Sequence, residues 1–384
     1  MPDDNATAVR GRYVLNHSAR EGMTRPGLFN AGEYSSVTKF FRSMSSYVPT
    51  PLWALRAYGQ KIGVREILVK DESARLGLNS FKVLGVSYAV HKLIESGAIQ
   101  KNSVLVAATD GNHGRALARV ARLHGLKSII YIHEGAATAR IRAISSEGAD
   151  VIQVAGNYDD SVRMASEAAR MNGWTLVSDT SWPGYEVVPR YVMAGYTMIM
   201  NEVVDQWCEL PDAVFVQAGV GGLVGAVLSW FLHNFGSSRP LIVACEPNTA
   251  ACVLESMRAG QPVTVPGSLE TAMAGLSCGT VSLAAWPVLQ SGLDACLAIT
   301  DEESFEAMQT LAHPEPPDPL VTSGESGACG LASVTSTMRR NDLRPLRSLL
   351  HLGPDSRVLV INTEGATDPA SYDTVTGIRA PEEN

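Results

Sequence analysis

Asn79-Ser80-Phe81-Lys82, followed by Val83-Leu84-Gly85, is the stretch of sequence that decides the fold of this chain. It places Lys82 between an aromatic residue and an apolar run with the character of a helix. Apolar neighbours disfavour the charged ammonium and so lower the pKa of a lysine, and the free amine can then form an imine with an aldehyde. The alternative is a surface lysine whose aliphatic stem lies along an apolar face.

Two glycine-containing segments favour the first interpretation. They are Thr109-Asp110-Gly111-Asn112-His113-Gly114 and Gln217-Ala218-Gly219-Val220-Gly221-Gly222-Leu223, and each follows an apolar run (104–108 and 213–216) and precedes a helical pattern. Glycines at such a junction let the backbone approach an anion, and the helix N-terminus supplies free N–H groups. The alternatives are ordinary turns and, for the second segment, a nicotinamide site.

Apolar runs with strand character alternate with helical stretches through most of the chain. The strand-like runs are 66–70, 103–107, 128–132, 150–154, 213–216, 241–245 and 357–361, and helical spacing is clear at 161–171 and 303–311. This alternation is typical of βαβ units, so we expect an α/β fold with mostly parallel sheets flanked by helices. Because ligands of such sheets bind at the carboxyl ends of strands, the polar residues after 357–361 and the two glycine segments are expected to converge.

Composition agrees with a soluble, cytoplasmic enzyme. A chain of 384 residues exceeds what one small core organises, so two domains are expected. The net charge of −8 argues against nucleic acid or an anionic membrane as the main partner. The chain has no signal-peptide pattern and no membrane-spanning apolar run. Its six cysteines lack a CxxC pair, so they are interpreted as reduced core residues and no metal site is predicted.

Taken together, these segments resemble the pyridoxal-phosphate fold-type II family, which includes threonine and serine dehydratases and cysteine synthase. Within that family the likeness is strongest to the diaminopropionate ammonia-lyases. It rests on Asp110, where dehydratases usually carry a serine, and on the motifs at 179–185 (DTSWPGY), 272–279 (AMAGLSCG), 323–328 (SGESGA) and 363–369 (TEGATDP).

The resemblance implies a two-domain enzyme that binds pyridoxal 5′-phosphate between its domains. The large domain is expected to comprise residues 1–84 and 186–384, and the small domain residues 85–185. The resemblance also implies a homodimer whose only other partner is a small amino-acid substrate.

The resemblance also implies a role for each matching residue. Lys82 is expected to hold the cofactor as an imine and then to act as acid or base on one face of the substrate Cα. Asn112 is expected to hydrogen-bond the 3′-oxygen of the cofactor, and Thr363 its pyridine nitrogen. The phosphate is expected to bind the backbone N–H groups of Gly219, Val220, Gly221 and Gly222.

Two carboxylates bear on the substrate. Asp110 and Asp179 would attract a β-ammonium group, and Asp110 is expected to take the Cα proton from the face opposite Lys82. The alternative for Asp110 is an Asp-Gly turn or a helix cap, and the alternative for Asp179 is a helix cap. We interpret His113 as a structural loop residue rather than a base, and Glu246 as either a ligand contact or a solvated carboxylate.

The resulting hypothesis is a lyase that converts 2,3-diaminopropionate, through aminoacrylate, to pyruvate and two molecules of ammonia. The alternative within the same chemistry is β-elimination or β-replacement on another β-substituted alanine. A nicotinamide oxidoreductase would require the pattern G-x-G-x-x-G. Its first two glycines match Gly219 and Gly221, but Val224 stands at the third position, which argues against this class. A non-catalytic binding protein would be expected to lose Lys82 or Asp110, and both are present.

Overall fold

The structure, a computed structural model, describes residues 11–17, 19, 27–109, 111–156, 158–207 and 209–381. Asp110, which the sequence predicts to be a catalytic base, lies outside the described residues, as does Cys208.

The described residues form alternating strands and helices, in agreement with the α/β prediction. The strands are β1 (Tyr13–Leu15), β2 (Leu52–Leu55), β3 (Glu66–Asp71), β4 (Val104–Thr109), β5 (Lys127–His133), β6 (Asp150–Val154), β7 (Thr175–Leu176), β8 (Ala213–Gln217), β9 (Leu241–Pro247), β10 (Ala295–Ile299) and β11 (Arg357–Asn362). The first eight helices are α1 (Ala31–Ser43), α2 (Arg56–Ile62), α3 (Lys82–Glu95), α4 (Asn112–Leu123), α5 (Thr138–Ser146), α6 (Tyr158–Asn172), α7 (Val187–Tyr196) and α8 (Met198–Gln206). The others are α9 (Gly222–Phe235), α10 (Cys252–Ala259), α11 (Trp286–Gly292), α12 (Asp301–Ala312), α13 (Glu325–Arg339), α14 (Arg344–Leu349) and α15 (Pro369–Thr376), with short 3₁₀ turns at 75–77, 236–238, 274–276 and 341–343.

The strands build two sheets. The larger has the order β1-β10-β9-β8-β11-β3-β2, and it is parallel except where the edge strands β1 and β2 pair antiparallel with their neighbours. The smaller has the order β6-β5-β4-β7 and is parallel throughout. All strands of the smaller sheet lie within residues 85–185, the range predicted for the small domain, and the domain boundaries themselves stay a prediction.

Each of the seven strand-like runs predicted from the sequence overlaps a strand of the structure. The sequence analysis did not predict β1, β2, β7 and β10. Three of these are edge strands of two to four residues, which are too short to produce an alternating pattern. The fourth, β10, is buried on both faces and reads Ala-Cys-Leu-Ala-Ile, and periodicity cannot distinguish such a run from a buried helix.

Helix α3 carries Lys82 and packs closely on α7 through two glycines. A Cβ on Gly85 would lie 2.5 Å from Cε1 of Tyr196, and one on Gly195 would lie 2.5 Å from the carbonyl oxygen of Leu84. Leu84 is itself fully buried, and burying such a side chain contributes about 1.5–3 kcal/mol. This close contact brings Tyr196 beside the start of α3. Among the described residues, no helix is both long enough and apolar enough to cross a membrane.

Candidate active site

A cleft opens where the carboxyl ends of strands from both sheets face each other, and most of the predicted site residues line it. Its described lining consists of Phe81, Lys82, Ala108, Thr109, Gly111, Asn112, His113, Arg140, Tyr158, Asp179, Tyr196, Gln217, Gly219, Val220, Gly221, Gly222, Leu223, Gly275, Leu276, Cys278, Ser326, Thr363 and Glu364. Every residue to which the resemblance assigns a role is among them except Asp110, which lies outside the described residues.

Lys82 is the first residue of α3, and local hydrogen bonds fix its position. The N–H of Lys82 donates to Oγ of Ser80 at 3.2 Å, which satisfies one of the free N–H groups at the helix start. The N–H of Phe81 donates to the carbonyl oxygen of Thr363 at 3.1 Å, and the N–H of Gly365 donates to that of Asn79 at 3.0 Å. The segment before Lys82 is therefore held against the segment that follows β11.

The amine of Lys82 forms an ion pair with Asp179, with 2.5 Å between Nζ and Oδ2. Burial alone lowers the pKa of Lys82, as the sequence argument expected, but Asp179 and Tyr196 outweigh it and raise that pKa above its usual range. Burial also opposes the charge of Asp179, yet Lys82 holds the pKa of its carboxyl well below the ordinary value. The expectation of a low lysine pKa was therefore wrong, because the contact with the Asp179 carboxylate could not be recognised from local sequence.

His113 has the geometry of a structural residue. It is 4% exposed, and its Nε2 lies 2.7 Å from the carbonyl oxygen of Val177, to which it donates as the neutral imidazole. Its Nδ1 lies 3.7 Å from Oδ2 of Asp179. Burial, together with Lys82, lowers the pKa of His113, although Asp179 opposes this shift. His113 is the second residue of α4 and not a loop residue as expected, and its hydrogen bond joins α4 to the segment that follows β7.

The glycine segment between β8 and α9 forms a cradle of backbone N–H groups. Gly221 has φ of +90°, a conformation that glycine adopts without strain. A Cβ on Gly219 would lie 3.2 Å from both Sγ of Cys278 and the carbonyl oxygen of Gly275. Among the described residues, none accepts a hydrogen bond from the backbone N–H groups of Gly219, Val220 or Gly221. Free N–H groups ahead of a helix suit a phosphate.

Thr363 is held by Gln217, to which the sequence analysis assigned no role. Nε2 of Gln217 donates to Oγ1 of Thr363 at 3.0 Å and to the carbonyl oxygen of Ile361 at 2.8 Å. Because the hydroxyl oxygen of Thr363 accepts this bond, its proton stays available for an acceptor in the cleft. Oε1 of Gln217 is buried without a partner among the described residues.

Asn112 donates from Nδ2 to Oε2 of Glu364 at 2.5 Å. Asn112 begins α4 beside the smaller sheet, and Glu364 follows β11 of the larger sheet. The bond therefore spans the cleft.

The two interpretations offered for Glu246 were both wrong. Its side chain neither lines the cleft nor meets solvent, because it is fully buried and accepts the N–H groups of Val253 at 2.7 Å and Leu254 at 2.8 Å. Glu246 thus satisfies the start of α10, and burial raises the pKa of its carboxyl to about 8 although the two N–H bonds act to lower it.

Sequence reasoning missed several cleft residues. Gln217 and Ser326 stand at a strand end and a helix start within quoted motifs, so position alone was a usable signal. Tyr196 has no such signal, since it ends a buried helix and reaches the cleft only through the packing of α3 on α7. Its hydroxyl is buried without a partner among the described residues, and burial raises the pKa of Tyr196 above its usual range. Arg140 and Tyr158 also line the cleft.

These features fit a cofactor that carries both an aldehyde and a phosphate. The glycine cradle offers unpaired N–H groups, Lys82 offers an amine, and Tyr196 and Gln217 hold buried polar atoms without partners within the described chain. In the same part of the chain, no group of three or more histidine, cysteine or acidic side chains is arranged to hold a metal ion.

The chain was compared with known protein families and proteins. Residues 44–364 match the model of the pyridoxal-phosphate dependent enzyme family. The chain is 37% identical to the diaminopropionate ammonia-lyase of Escherichia coli K12 over 377 residues, which cover 94% of each chain. It is 36% identical to the enzyme of the same name from Salmonella typhimurium, over 91% of this chain and 93% of the relative.

Comparison with solved structures finds the same relatives. The crystal structure of the Escherichia coli diaminopropionate ammonia lyase with an aminoacrylate–PLP azomethine intermediate superposes with a TM-score of 0.88 at 35% identity, and covers 94% of this chain and 96% of that one. A threonine deaminase from Solanum lycopersicum, with a TM-score of 0.75 at 18% identity over 97% of this chain and 98% of that one, shares the fold.

Proposed function

This chain belongs to the family of pyridoxal-phosphate dependent enzymes, and we propose that within it the chain is a lyase acting on 2,3-diaminopropionate. The overall reaction consumes diaminopropionate and one water molecule and yields pyruvate and two molecules of ammonia. The β-amine departs by elimination, and the α-amine is lost when the resulting enamine-level product hydrolyses in water.

The observation that carries the proposal is the pairing of Lys82 with Asp179 inside the cleft, at 2.5 Å. Binding of the cofactor through Lys82 would take the lysine ammonium away from Asp179. A buried carboxylate without a cation is unfavourable, so the cleft favours a substrate that brings its own. The protonated β-amino group of diaminopropionate is such a cation, whereas the hydroxyl groups of serine and threonine are neutral.

Bound pyridoxal phosphate supplies an electron sink that makes the Cα–H bond of the amino acid acidic. The protein's own residues then handle the protons. Lys82 takes or returns a proton at Cα on its side of the cleft, and Asp110 is proposed to do so on the opposite side. Asp179 holds the β-nitrogen in its protonated form, in which it leaves as ammonia.

The other predicted residues orient the cofactor. The N–H groups of the cradle, residues 219 to 222, would bind the phosphate at the start of α9, where the helix dipole also favours negative charge. Thr363, whose oxygen accepts from Gln217, would donate its proton to the pyridine nitrogen. Tyr196 closes the cleft beside Lys82 with an apolar ring.

The proposed substrate is tested by measuring pyruvate and ammonia release by the purified holoenzyme. D- and L-diaminopropionate are supplied separately, with L-serine, D-serine and L-threonine alongside. We expect two ammonia molecules for each pyruvate and faster turnover of at least one diaminopropionate isomer than of any hydroxy amino acid. Faster consumption of serine or threonine would overturn the substrate assignment.

Lys82→Ala should abolish turnover and the absorbance band of the cofactor bonded to the protein, because the amine that bonds the aldehyde is removed. Lys92→Ala is the matched control, since Lys92 lies on the same helix, pairs with Glu95 and does not line the cleft. A Lys82→Ala protein with normal activity would refute the role of Lys82.

The family resemblance also supports three further proposals: a homodimer, a cytoplasmic location, and a small domain bounded by residues 85 and 185. Light scattering of the purified holoenzyme tests the first, cell fractionation the second, and limited proteolysis near the proposed boundaries the third.

A further inference from the structure

Glu364 lines the cleft but has no part in the reaction outlined above. It is 2% exposed, its Oε2 accepts from Nδ2 of Asn112 at 2.5 Å and from Oγ1 of Thr367 at 3.4 Å, and its Oε1 accepts the N–H of Ser326 at 3.1 Å. All three partners are neutral donors. Burying a carboxylate is costly unless its oxygens accept hydrogen bonds, so these three donors are what makes the position tolerable.

The backbone of Glu364 is held by the segments on either side of it. Its carbonyl oxygen accepts the N–H of Gly324 at 3.0 Å, and it forms an isolated bridge with Ser80, two residues before Lys82. Asn112, by contrast, belongs to the other wall of the cleft, at the start of α4. The hydrogen bond to Asn112 therefore links the segment before Lys82 to the start of α4.

A carboxylate removes the ambiguity of an amide's orientation. It has no proton to donate when ionised, so only the nitrogen of Asn112, and not its oxygen, can face it. The same nitrogen carries a second hydrogen that is available to an acceptor in the cleft.

We propose that Glu364 is a positioning residue, which holds the side-chain amide of Asn112 so that its nitrogen donates to the 3′-oxygen of pyridoxal phosphate. The inference rests on the proposed cofactor and on the proposed role of Asn112. It assigns to Glu364 the orientation of a cofactor contact and no part in proton transfer.

Glu364→Gln is the decisive variant because it keeps the shape of the side chain. The N–H of Ser326 would retain the oxygen of the new amide, which turns its nitrogen toward Asn112 and forces that residue to rotate its own amide. We expect the apparent Kd for pyridoxal phosphate to rise about 10- to 100-fold, the range for losing a hydrogen bond to a charged group. The pH dependence of the bound cofactor's absorbance should also shift.

Glu325→Gln is the matched control. Glu325 is 4% exposed, accepts a hydrogen bond from Ser371 and does not line the cleft. The same change of a buried carboxylate to an amide there should leave cofactor affinity and absorbance unaltered. Equal behaviour of Glu364→Gln and Glu325→Gln would overturn the proposal.

A double variant separates orientation of the cofactor contact from simple bonding between the cleft walls. Asn112→Asp alone brings two carboxylates together, whereas Asn112→Asp combined with Glu364→Gln restores a donor and an acceptor with reversed polarity. We expect the double variant to recover the thermal unfolding midpoint of the unliganded protein but not its cofactor affinity. Recovery of both would mean that the bond only joins the walls, and would refute the positioning role.

These measurements use pyridoxal phosphate without an amino acid, so they do not depend on the substrate. If the unmodified protein binds the cofactor but releases no pyruvate from diaminopropionate, the proposed reaction fails while the role of Glu364 is still decided by the affinities. If Glu364→Gln binds the cofactor as tightly as the unmodified protein, the positioning role fails whatever the substrate.

Discussion

Two neighbouring glycines of the cradle should respond differently to the same substitution. In Gly221→Ala, the new Cβ would lie 2.7 Å from Cδ1 of Leu289 and 3.4 Å from Cγ2 of Val253, at a φ of +90°. Placing an L-residue in a left-handed conformation costs about 1–2 kcal/mol, and overpacking a core costs about 1–3 kcal/mol. The free energy of unfolding of the unliganded protein should therefore fall by about 2–5 kcal/mol.

Gly222→Ala meets no such obstacle. Its Cβ would lie 3.5 Å from Cγ of Met193 and 3.9 Å from the carbonyl oxygen of Asp179, which are ordinary contacts. Since alanine is favoured over glycine in a helix by up to about 1 kcal/mol, stability should be kept or slightly increased. The methyl group nevertheless occupies space in the cleft, so the Kd for pyridoxal phosphate should rise by about tenfold or more, which corresponds to about 1.4 kcal/mol.

Urea unfolding of the unliganded variants and titration with pyridoxal phosphate measure the two effects separately. Gly225→Ala is the control, because Gly225 lies one turn further along α9, outside the cleft, with the nearest atom 3.4 Å from its new Cβ. Unchanged cofactor affinity in Gly222→Ala would refute the assignment of the phosphate to this loop. Unchanged stability in Gly221→Ala would refute the argument from its backbone conformation.

Three further outcomes are expected. Asp110→Asn should reduce pyruvate release from D-diaminopropionate by about 10²- to 10⁴-fold and from the L-isomer by less, and equal D-isomer rates would remove Asp110 from the mechanism. Lys82 lowers the pKa of Asp179 although that carboxyl is buried, so the ion pair stabilises the cofactor-free protein fully above pH 3.8, the ordinary pKa of an aspartate. This stability is lost as the pH falls below 3.8. The free energy of unfolding, measured with urea at a series of acidic pH values, should therefore depend less on pH in Asp179→Asn. Burial raises the pKa of Glu246 to about 8, so between pH 4.5 and pH 8 the folded protein keeps a proton that the unfolded chain releases. The free energy of unfolding should therefore fall as the pH rises from 4.5 to 8 in the unmodified protein, but not in Glu246→Gln.

Local sequence was sufficient for the features that depend on neighbouring residues. Periodicity of apolar residues was enough to predict the seven strands and the helix that begins at the lysine. The glycine segments between strand and helix could be predicted because glycine adopts a positive φ without strain, as Gly221 does. The convergence of these segments could also be predicted, since the carboxyl ends of parallel strands meet at one edge of a sheet. The environment of Glu246 was predicted wrongly, because a position near the end of a strand does not reveal whether the side chain points into the cleft or toward the start of a helix.

The sequence by itself therefore determined the α/β class and the family, and it predicted which residues would bear the chemistry. Only the tertiary structure decided how those residues affect one another. Lys82 and Asp179 are 97 positions apart, and Asn112 and Glu364 are 252 positions apart. The raised pKa of Lys82 and the orientation of the Asn112 amide depend on contacts of a few ångströms across a cleft between two sheets. Electrostatic and hydrogen-bond energies depend on distance and burial in space, and neither quantity is encoded in the local pattern of the chain.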